Sequence, residues 1–461
     1  MRLFFTIAIC KILYFIGSRL GKGSSLPGRA ALKLYPDALK RVRLPKTVIA
    51  VTGSNGKTST AEMLARALTA NGVSVGWNHE GANQIEGVAT LILRIATFKG
   101  VVKHGALVLE CDERYARKVF AAVRPSALVI TNLCRDQLTR NGHHEYIQGC
   151  IRAAIETVGG GLKLVLNADD PYTAALAATR IWKSGADVPN CMFFGISSPL
   201  VRGASASNQK ETPQQSGGMY DDGAFCPVCK GRMTYVHRIT AHMGRYNCST
   251  CGFKRPDAET EVVGMDYETG EVLFGDGARS ILAFPGLTGA YNLAAAVTAA
   301  SEAGVSVKDA ARALEGYELT GGRTVRFLLN GRNGMLLVSK HENSLSYNQS
   351  LSYIVGRQKP CTVVIMVDAI SRKYYTSETS WLWDVDFGIL SDDSIQSVVL
   401  VGRYINELSA RFAMTTVAPA KIGHITEQSD LRGHIEGSTT GDIFALTCFS
   451  DKSRLLKALN E

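Results

Sequence analysis

Thr52-Gly53-Ser54-Asn55-Gly56-Lys57-Thr58-Ser59 lies between Lys46 to Val51, which reads as a buried strand, and Ser59 to Leu68, which reads as a helix. Met63, Leu64, Ala67 and Leu68 share one face of that helix. Strand, glycine-rich turn and helix in this order make a phosphate loop. The glycines let the backbone turn and aim successive N–H groups at phosphate oxygens. The helix N-terminus adds partial positive charge. Lys57 can reach the β- and γ-phosphates, and Thr58 can ligate Mg²⁺. The usual loop carries its first glycine five residues before the second; here that position is Val51, and Gly53 is the nearest glycine. A glycine-rich turn without phosphate competes, but the Gly-Lys-Thr triplet in this context leaves it little room.

Further short apolar runs follow: Ala106 to Leu109, Ala127 to Thr131 and Leu162 to Leu166. Each ends in polar residues, with helical patterns between. This alternation predicts an α/β fold, a parallel sheet with crossover helices and functional groups at strand C-termini. A second set, Thr362 to Val367, Ser397 to Val401 and Asp442 to Thr447, predicts a smaller C-terminal α/β domain starting near residue 321. Residues 203–223 are polar and Gly/Ser-rich and read as a loop leading into an insertion. The expected organisation is therefore an N-terminal segment (1–45), a central nucleotide-binding domain (46–320) with an insertion at about 203–258, and a C-terminal domain (321–461).

The chain has 461 residues, enough for about three domains. Apolar residues at 46% and charged residues at 20% exclude global disorder. No apolar run reaches the roughly 18 to 20 residues of a spanning helix, which excludes a polytopic membrane protein. Lys plus Arg is 51 against 41 for Asp plus Glu, and the net charge of +10 suits an anionic partner: nucleotide, nucleic acid or acidic membrane. Eleven cysteines are too few for a disulfide scaffold and suggest a reducing, cytoplasmic setting.

Four of those cysteines are patterned. Cys226 and Cys229, then Cys248 and Cys251, form two Cys-x₂-Cys knuckles that can give four thiolates to one tetrahedral zinc. With every position filled by Cys, the zinc is expected to be structural. Gly231 and Gly252, just past each pair, suit tight turns. Lys230, Arg232, Arg238, Arg245, Lys254 and Arg255 make the ribbon basic, which is read as solubilising, with nucleic-acid binding the alternative. Residues 3–17 are strongly apolar apart from Lys11. They read as a helix packed on the body, with two alternatives: an interfacial anchor for a lipid-borne substrate, or a cleaved signal, for which Ser18-Arg19-Leu20 is a poor site.

The loop Thr-Gly-Ser-Asn-Gly-Lys-Thr-Ser resembles the variant found in Mur ligases and folylpolyglutamate synthases. Leu109-Glu110, the segment Thr131 to Gly142, Asn167-Ala168-Asp169-Asp170-Pro171, Gly286 to Asn292 and Gly322-Arg323 resemble that family's further motifs in order. More narrowly, Ser24 to Gly28, Glu80-Gly81-Ala82-Asn83 and Trp381 to Phe387 resemble the MurT family of ligase subunits, as does Gln137, where many Mur ligases have His. The resemblance covers about residues 20 to 450. It implies a Mur ligase central domain with an inserted Cys₄ zinc ribbon and a C-terminal Rossmann-like domain. The usual Mur N-terminal substrate domain is then missing, since 51 residues precede the loop.

The resemblance further implies ATP, Mg²⁺ and structural Zn²⁺. Gly53, Asn55, Gly56, Lys57, Thr58, Ser59, Asn292 and Arg323 would hold the nucleotide, and Thr58 and Glu110 the magnesium. Lys57, Glu110, Asn83 and Asp384 would serve catalysis. The implied reaction is ATP-dependent amidation of the D-glutamate α-carboxylate of lipid II through an acyl phosphate, with ammonia from a GatD-type glutaminase partner. The implied place is the cytoplasm, with possible peripheral contact at the inner face of the membrane and no nucleic-acid partner. Two other readings stand beside it: a Mur-like ligase adding an amino acid or amine, and a zinc-ribbon ATPase that binds nucleic acid.

The resemblance implies an acid that completes the partner's glutaminase site; the acids that family carries just upstream are gone or replaced by Glu378 here, and Asp384 is expected to take the role, with a solvated acid at a strand end the alternative. Glu342 to Gln349 also departs from that family, lacking its Lys, Pro and Gly. Among the acids after the second strand, Glu110 leads, while Asp112 and Glu113 are expected to be supporting or surface groups. His143 and His144 are expected on the surface, and His79 to face packing or solvent rather than substrate.

Overall fold

Alternate residues of β1 (Thr47–Thr52) enter two different cores: Val48 and Ala50 pack on one face of the sheet, Ile49 and Val51 on the other. A strand buried on both faces needs helices above and below it. The computed structural model describes residues 1–19, 24–79, 82–135, 143–178, 190–202, 221–283, 286–319, 324–368 and 379–460. Arg323, Gly322, Glu378, Gln137, the Glu80-Gly81 pair and 203–220 lie outside the described residues.

Two units are distinguished. Among the described residues of the first, β2 (Val75–Trp77), β3 (Ala106–Glu110), β4 (Ala127–Ile130), β5 (Lys163–Asn167) and β6 (Asn190–Arg202) join β1 in a sheet. Its order runs β2-β3-β1-β4-β5-β6, all parallel, and the same two-residue alternation into the two cores recurs in β3, β4 and β5. β7 (Met233–Thr240) and β8 (Met243–Cys248) form a separate antiparallel hairpin. β9 (Thr260–Met265) returns to the large sheet parallel to β6, and β10 (Glu271–Phe274) and β11 (Arg279–Ile281) extend it antiparallel.

The helix Arg2–Arg19 (α1), followed by Leu26–Leu34 (α2), lies on one face together with Ile85–Ile95. Lys57–Ala70 and Leu287–Ala300 cover the other. Chain order reverses at β1, which has β3 on one side and β4 on the other. In open parallel sheets that reversal leaves a crevice beyond the strand C-termini.

The second unit carries its own sheet. Its described residues include 324–368 and 379–460, together with Arg135, Asp221 and Asp222. β12 (Thr324–Leu329) pairs antiparallel with β13 (Arg332–Ser339). β13, β17 (Asp442–Cys448), β14 (Cys361–Met366), β15 (Ile395–Val401) and β16 (Ile422–Ile425) follow in parallel order. The three late runs read from the sequence are β14, β15 and β17; β12, β13 and β16 were not legible there.

Candidate active site

The phosphate loop leaves β1 with Gly53 at φ 129° and Gly56 at φ 83°, both in the region that favours glycine. Space demands glycine as well. A Cβ on Gly53 would lie 2.2 Å from Thr131 Oγ1, and one on Gly56 2.1 Å from Asn292 Oδ1. The end of β4 clamps the loop from the side. Ser54 N–H donates to Asn132 O (2.8 Å), Asn55 N–H to Asn132 Oδ1 (3.0 Å), and Thr131 Oγ1 to Asn55 O (2.6 Å). The Thr-Asn pair after β4 thus shapes the loop. Asn292, in the first turns of Leu287–Ala300, reaches the loop and accepts a hydrogen bond from Thr60 Oγ1 (3.3 Å). Thr58 and Ser59 are half-buried at the start of the helix.

Lys57 is buried and turned back on its own loop. Its ammonium donates to Gly53 O and Ser54 O and pairs with Glu113 Oε1 at 2.7 Å. Both side chains are under 10% exposed, so the pair is held largely out of water. Glu113 was expected at the surface or in support; it is buried and is the ion partner of Lys57. Asp112 is buried too. Glu110 ends β3, where Asn83 Nδ2 donates to its Oε1 (3.2 Å). Asn78 fixes the backbone of Glu110 from both sides, accepting from its N–H (2.8 Å) and donating to its carbonyl (2.9 Å). Asn78 was not singled out in the sequence. Its only signal was its place just after the short strand β2.

The structure therefore brings Lys57, Glu110, Asn83 and Asn292 to the C-terminal ends of β1 and β3. It leaves His79 exposed beside Trp77. His143 is exposed and accepts from Glu145 N–H at the start of helix His144–Val158. His144, expected at the surface, is 1% exposed: its ring lies 3.7 Å, centroid to centroid, from Tyr172.

The four patterned cysteines converge. Their sulfurs lie within 4.8 Å of one another, with Cys226 to Cys251 at 3.7 Å and Cys229 to Cys248 at 3.6 Å. Those separations are far beyond a disulfide bond. They agree with the roughly 3.8 Å between sulfurs tetrahedrally placed about 2.3 Å from a zinc ion. Desolvation opposes ionisation of Cys248, but the Cys251 N–H and the neighbouring thiols bring it down to about 7. The second knuckle turns at Gly252 (φ 73°) as expected; the first turns at Lys230 (φ 65°) rather than at Gly231.

In the second unit Asp384 ends a short 3₁₀ turn, Ser380–Asp384. Its carboxylate stands 3.9 Å from Arg135, which also binds Asp222 at 2.8 Å. Burial pushes the Asp384 carboxyl up to about 6; Arg135 opposes the shift and Asp222 adds to it.

Residues 51–221 match the Mur ligase middle domain and residues 341–450 the MurT ligase C-terminal domain. The chain is 30% identical over 423 residues to "Lipid II isoglutaminyl synthase (glutamine-hydrolyzing) subunit MurT" of Streptococcus pneumoniae, covering 91% of this chain and 87% of that one. It is 28% identical over 419 residues to the protein of the same name from Staphylococcus aureus, covering 90% and 89%. Among solved structures, a pseudomurein peptide ligase type C from Methanothermus fervidus shares the fold with TM-score 0.67 at 20% identity, over 92% of this chain and 80% of that one.

Asp384 gives the second unit a pH signature. A carboxyl whose folded pKa is raised adds stability that is fully present below its ordinary value of 3.8 and is lost as pH rises through about 6. Asp384→Asn cannot ionise. Its unfolding temperature should exceed that of the unmodified protein at pH 8 and differ little at pH 4. A gap that does not change between those pH values would refute the burial of this carboxyl.

Proposed function

This chain belongs to the MurT family of Mur ligases, and from that premise we propose that it is the ATP-dependent subunit that amidates the D-glutamate α-carboxylate of the lipid II stem peptide to D-isoglutamine. A GatD-type glutaminase supplies the ammonia, and the reaction takes place at the cytoplasmic face of the membrane. The observation that carries this reading is the convergence of the glycine-shaped loop, the buried Lys57 and the Asn83-anchored Glu110 at the strand-order reversal of one parallel sheet. The expected cofactors fit there. The glycines let the loop pack against Thr131 and Asn292 at the head of a helix, and a carboxylate stands at the end of the neighbouring strand.

The chemistry divides among this chain's own groups. Gly53 and Gly56 present backbone to the phosphates, with Ser59 at the helix start; Asn55, whose own backbone is tied to Asn132 and Thr131, is assigned to the nucleotide from its sequence motif. Lys57 exchanges Glu113 for the β- and γ-phosphates. Thr58 and Glu110 would hold Mg²⁺, which when bound neutralises charge developing on the transferred γ-phosphoryl group. Asn83 orients the Glu110 carboxylate, and Asn292 fixes the nucleotide against the loop. Arg323 is assigned to nucleotide binding from its sequence motif. The substrate carboxylate oxygen attacks the γ-phosphorus and expels ADP. Ammonia then attacks the acyl carbon of the resulting acyl phosphate, phosphate leaves, and the nitrogen loses a proton to give the amide. Asp384 is assigned the acid that completes the partner's glutaminase site. The four-cysteine ribbon is assigned a structural zinc. Two of its basic residues, Lys230 and Arg255, pair with acids of this chain, which favours a supporting role over nucleic-acid binding.

Lys57→Ala should cut muropeptide-dependent ATP turnover by at least about 10²-fold; unchanged turnover would overturn the loop assignment. Elemental analysis of the purified protein should find about one zinc per chain, and Cys226→Ser should lose it while retaining much of the ATP turnover. A zinc content near zero in the unmodified protein would reject the metal site. With the glutaminase subunit present, Asp384→Asn should lower glutamine hydrolysis roughly tenfold or more without altering ATP binding. Normal hydrolysis would place the completing acid elsewhere.

A further inference from the structure

We propose that the outward face of α1, with the basic surface beside it, docks on a bilayer containing anionic lipid. The helix is apolar on every side yet packed on one. Ile7 and Cys10 enter the core shared with α2 and the helix Ile85–Ile95, and are fully buried. On the other side Phe5, Ile12, Phe15 and Ile16 are 59%, 58%, 57% and 51% exposed. Positions 5, 12 and 16 recur at helical spacing, so these side chains form a stripe along the helix. Phe98, half-exposed, packs against Phe4 with ring centroids 5.1 Å apart and widens the patch. Single exposed apolar residues are ordinary, but a helix meant for water puts charge on its outer face.

The charge around the stripe selects the occupant. Residues 1–46 contain ten Lys or Arg and one acid, Asp37, a net +9 out of the chain's +10. Asp37 is paired with Lys40 at 2.9 Å. Arg2, Arg19, Arg29 and Lys33 are exposed. A second copy of this chain would bring the same positive field and be repelled, whereas anionic headgroups are attracted and the rings and branched side chains can enter the headgroup boundary.

The geometry is that of a helix lying on a surface. Eighteen residues span about 27 Å, and no helix among the described residues is long and apolar enough to cross a membrane. Lys11, near its middle, donates to Arg94 O at 2.7 Å, tying the helix side-on to the body. Tyr14 of the same helix accepts from Arg94 (2.6 Å). With Trp77, Asn78 and His79 it lines a small, open cleft, and Asn78 is the residue that fixes Glu110. The use of docking, to bring a lipid-borne substrate to that cleft, rests on the proposed function; the docking itself does not.

The test is co-sedimentation of the full chain with vesicles of phosphatidylcholine alone and of phosphatidylcholine with phosphatidylglycerol. Binding should be at least about tenfold stronger to the anionic vesicles and should weaken with salt. A Phe5→Glu/Ile12→Glu/Ile16→Glu variant should lose at least about tenfold of it, with an unchanged circular dichroism spectrum and unchanged ATP turnover on a water-soluble muropeptide. An Arg29→Glu/Lys33→Glu variant, which leaves the helix untouched, should lose the preference for anionic lipid, and it carries the test should the first variant misfold. Three outcomes would overturn the proposal: no binding to anionic vesicles, equal binding by the variants, or a concentration-dependent dimer in sedimentation velocity that the apolar variant abolishes. Vesicle binding without turnover on the muropeptide would instead refute the ligase reading and leave the docking intact.

Discussion

Two carboxylates with no exposure at all, Asp169 and Asp170, hold the end of β5 to everything around it. A buried carboxylate is tolerated only when its oxygens are fully engaged. Asp169 accepts from Arg255 Nε (2.6 Å), Ile196 N–H of β6 (2.7 Å) and the Tyr291 hydroxyl (2.8 Å). Asp170 accepts from Leu133 N–H (2.6 Å) and Tyr172 N–H (2.9 Å), and lies 3.2 Å from His242 Nε2. Those partners come from the segment after β4, from β6, from the connection within the cysteine hairpin, from the residues just past it, and from the helix that carries Asn292. The rest of the motif serves the same node. Asn167 accepts from Asp169 N–H (3.0 Å) and donates to Thr131 O (3.0 Å), while Pro171 opens a helical turn that Asp170 caps. The Asn-Ala-Asp-Asp-Pro stretch is thus the joint between the segment after β4, the sheet, the cysteine hairpin and the helix that carries Asn292. Its role is to set geometry rather than to react.

The phosphate loop solves a second electrostatic problem. The Lys57 ammonium lies in a largely dry site, where Glu113 and two carbonyls meet it. On the proposed function, phosphate oxygens would take the place of Glu113 on Lys57, and the buried Glu113 carboxylate would then need a new partner. The Lys57–Glu113 pair ties the loop to the segment after β3. This is why Glu113 is buried although it sits three residues beyond the acid that ends the strand.

Much of this was legible in the sequence where a short-range rule applied. The strand–loop–helix at residues 46–68, the runs that became β3, β4 and β5, and the spacing of the four cysteines all depend on neighbours within about twenty-five residues. What escaped depends on distant contacts. Asn78 matters because it faces Glu110, and Glu113 because it faces Lys57. His144 is buried because Tyr172 covers it, though a His-His pair in a polar stretch looks like surface. The strands β9 to β13 were missed because their runs are short and mixed and become strands only by pairing. Lys230 taking the positive φ expected of Gly231 is the same lesson on a smaller scale: the knuckle geometry, not the residue preference, decided which position turned.

The distribution of charge argues that the net +10 read from the composition is not a property of the nucleotide site. Outside residues 1–46 the chain is almost balanced, with 41 basic and 40 acidic residues. At the phosphate loop the one buried ammonium is matched by Glu113, with Glu110 and Asp112 close by in sequence. The nucleotide and divalent cation of the proposed function would need such local balance. A field of one sign would bind nucleotide without metal or repel the metal outright. The surplus is instead segregated onto the layer that also exposes its apolar residues. Composition alone could say only that some anionic partner was favoured. Its placement sets apart two surfaces: a loop whose one buried lysine is matched by an acid, and scattered cations flanking an apolar helix.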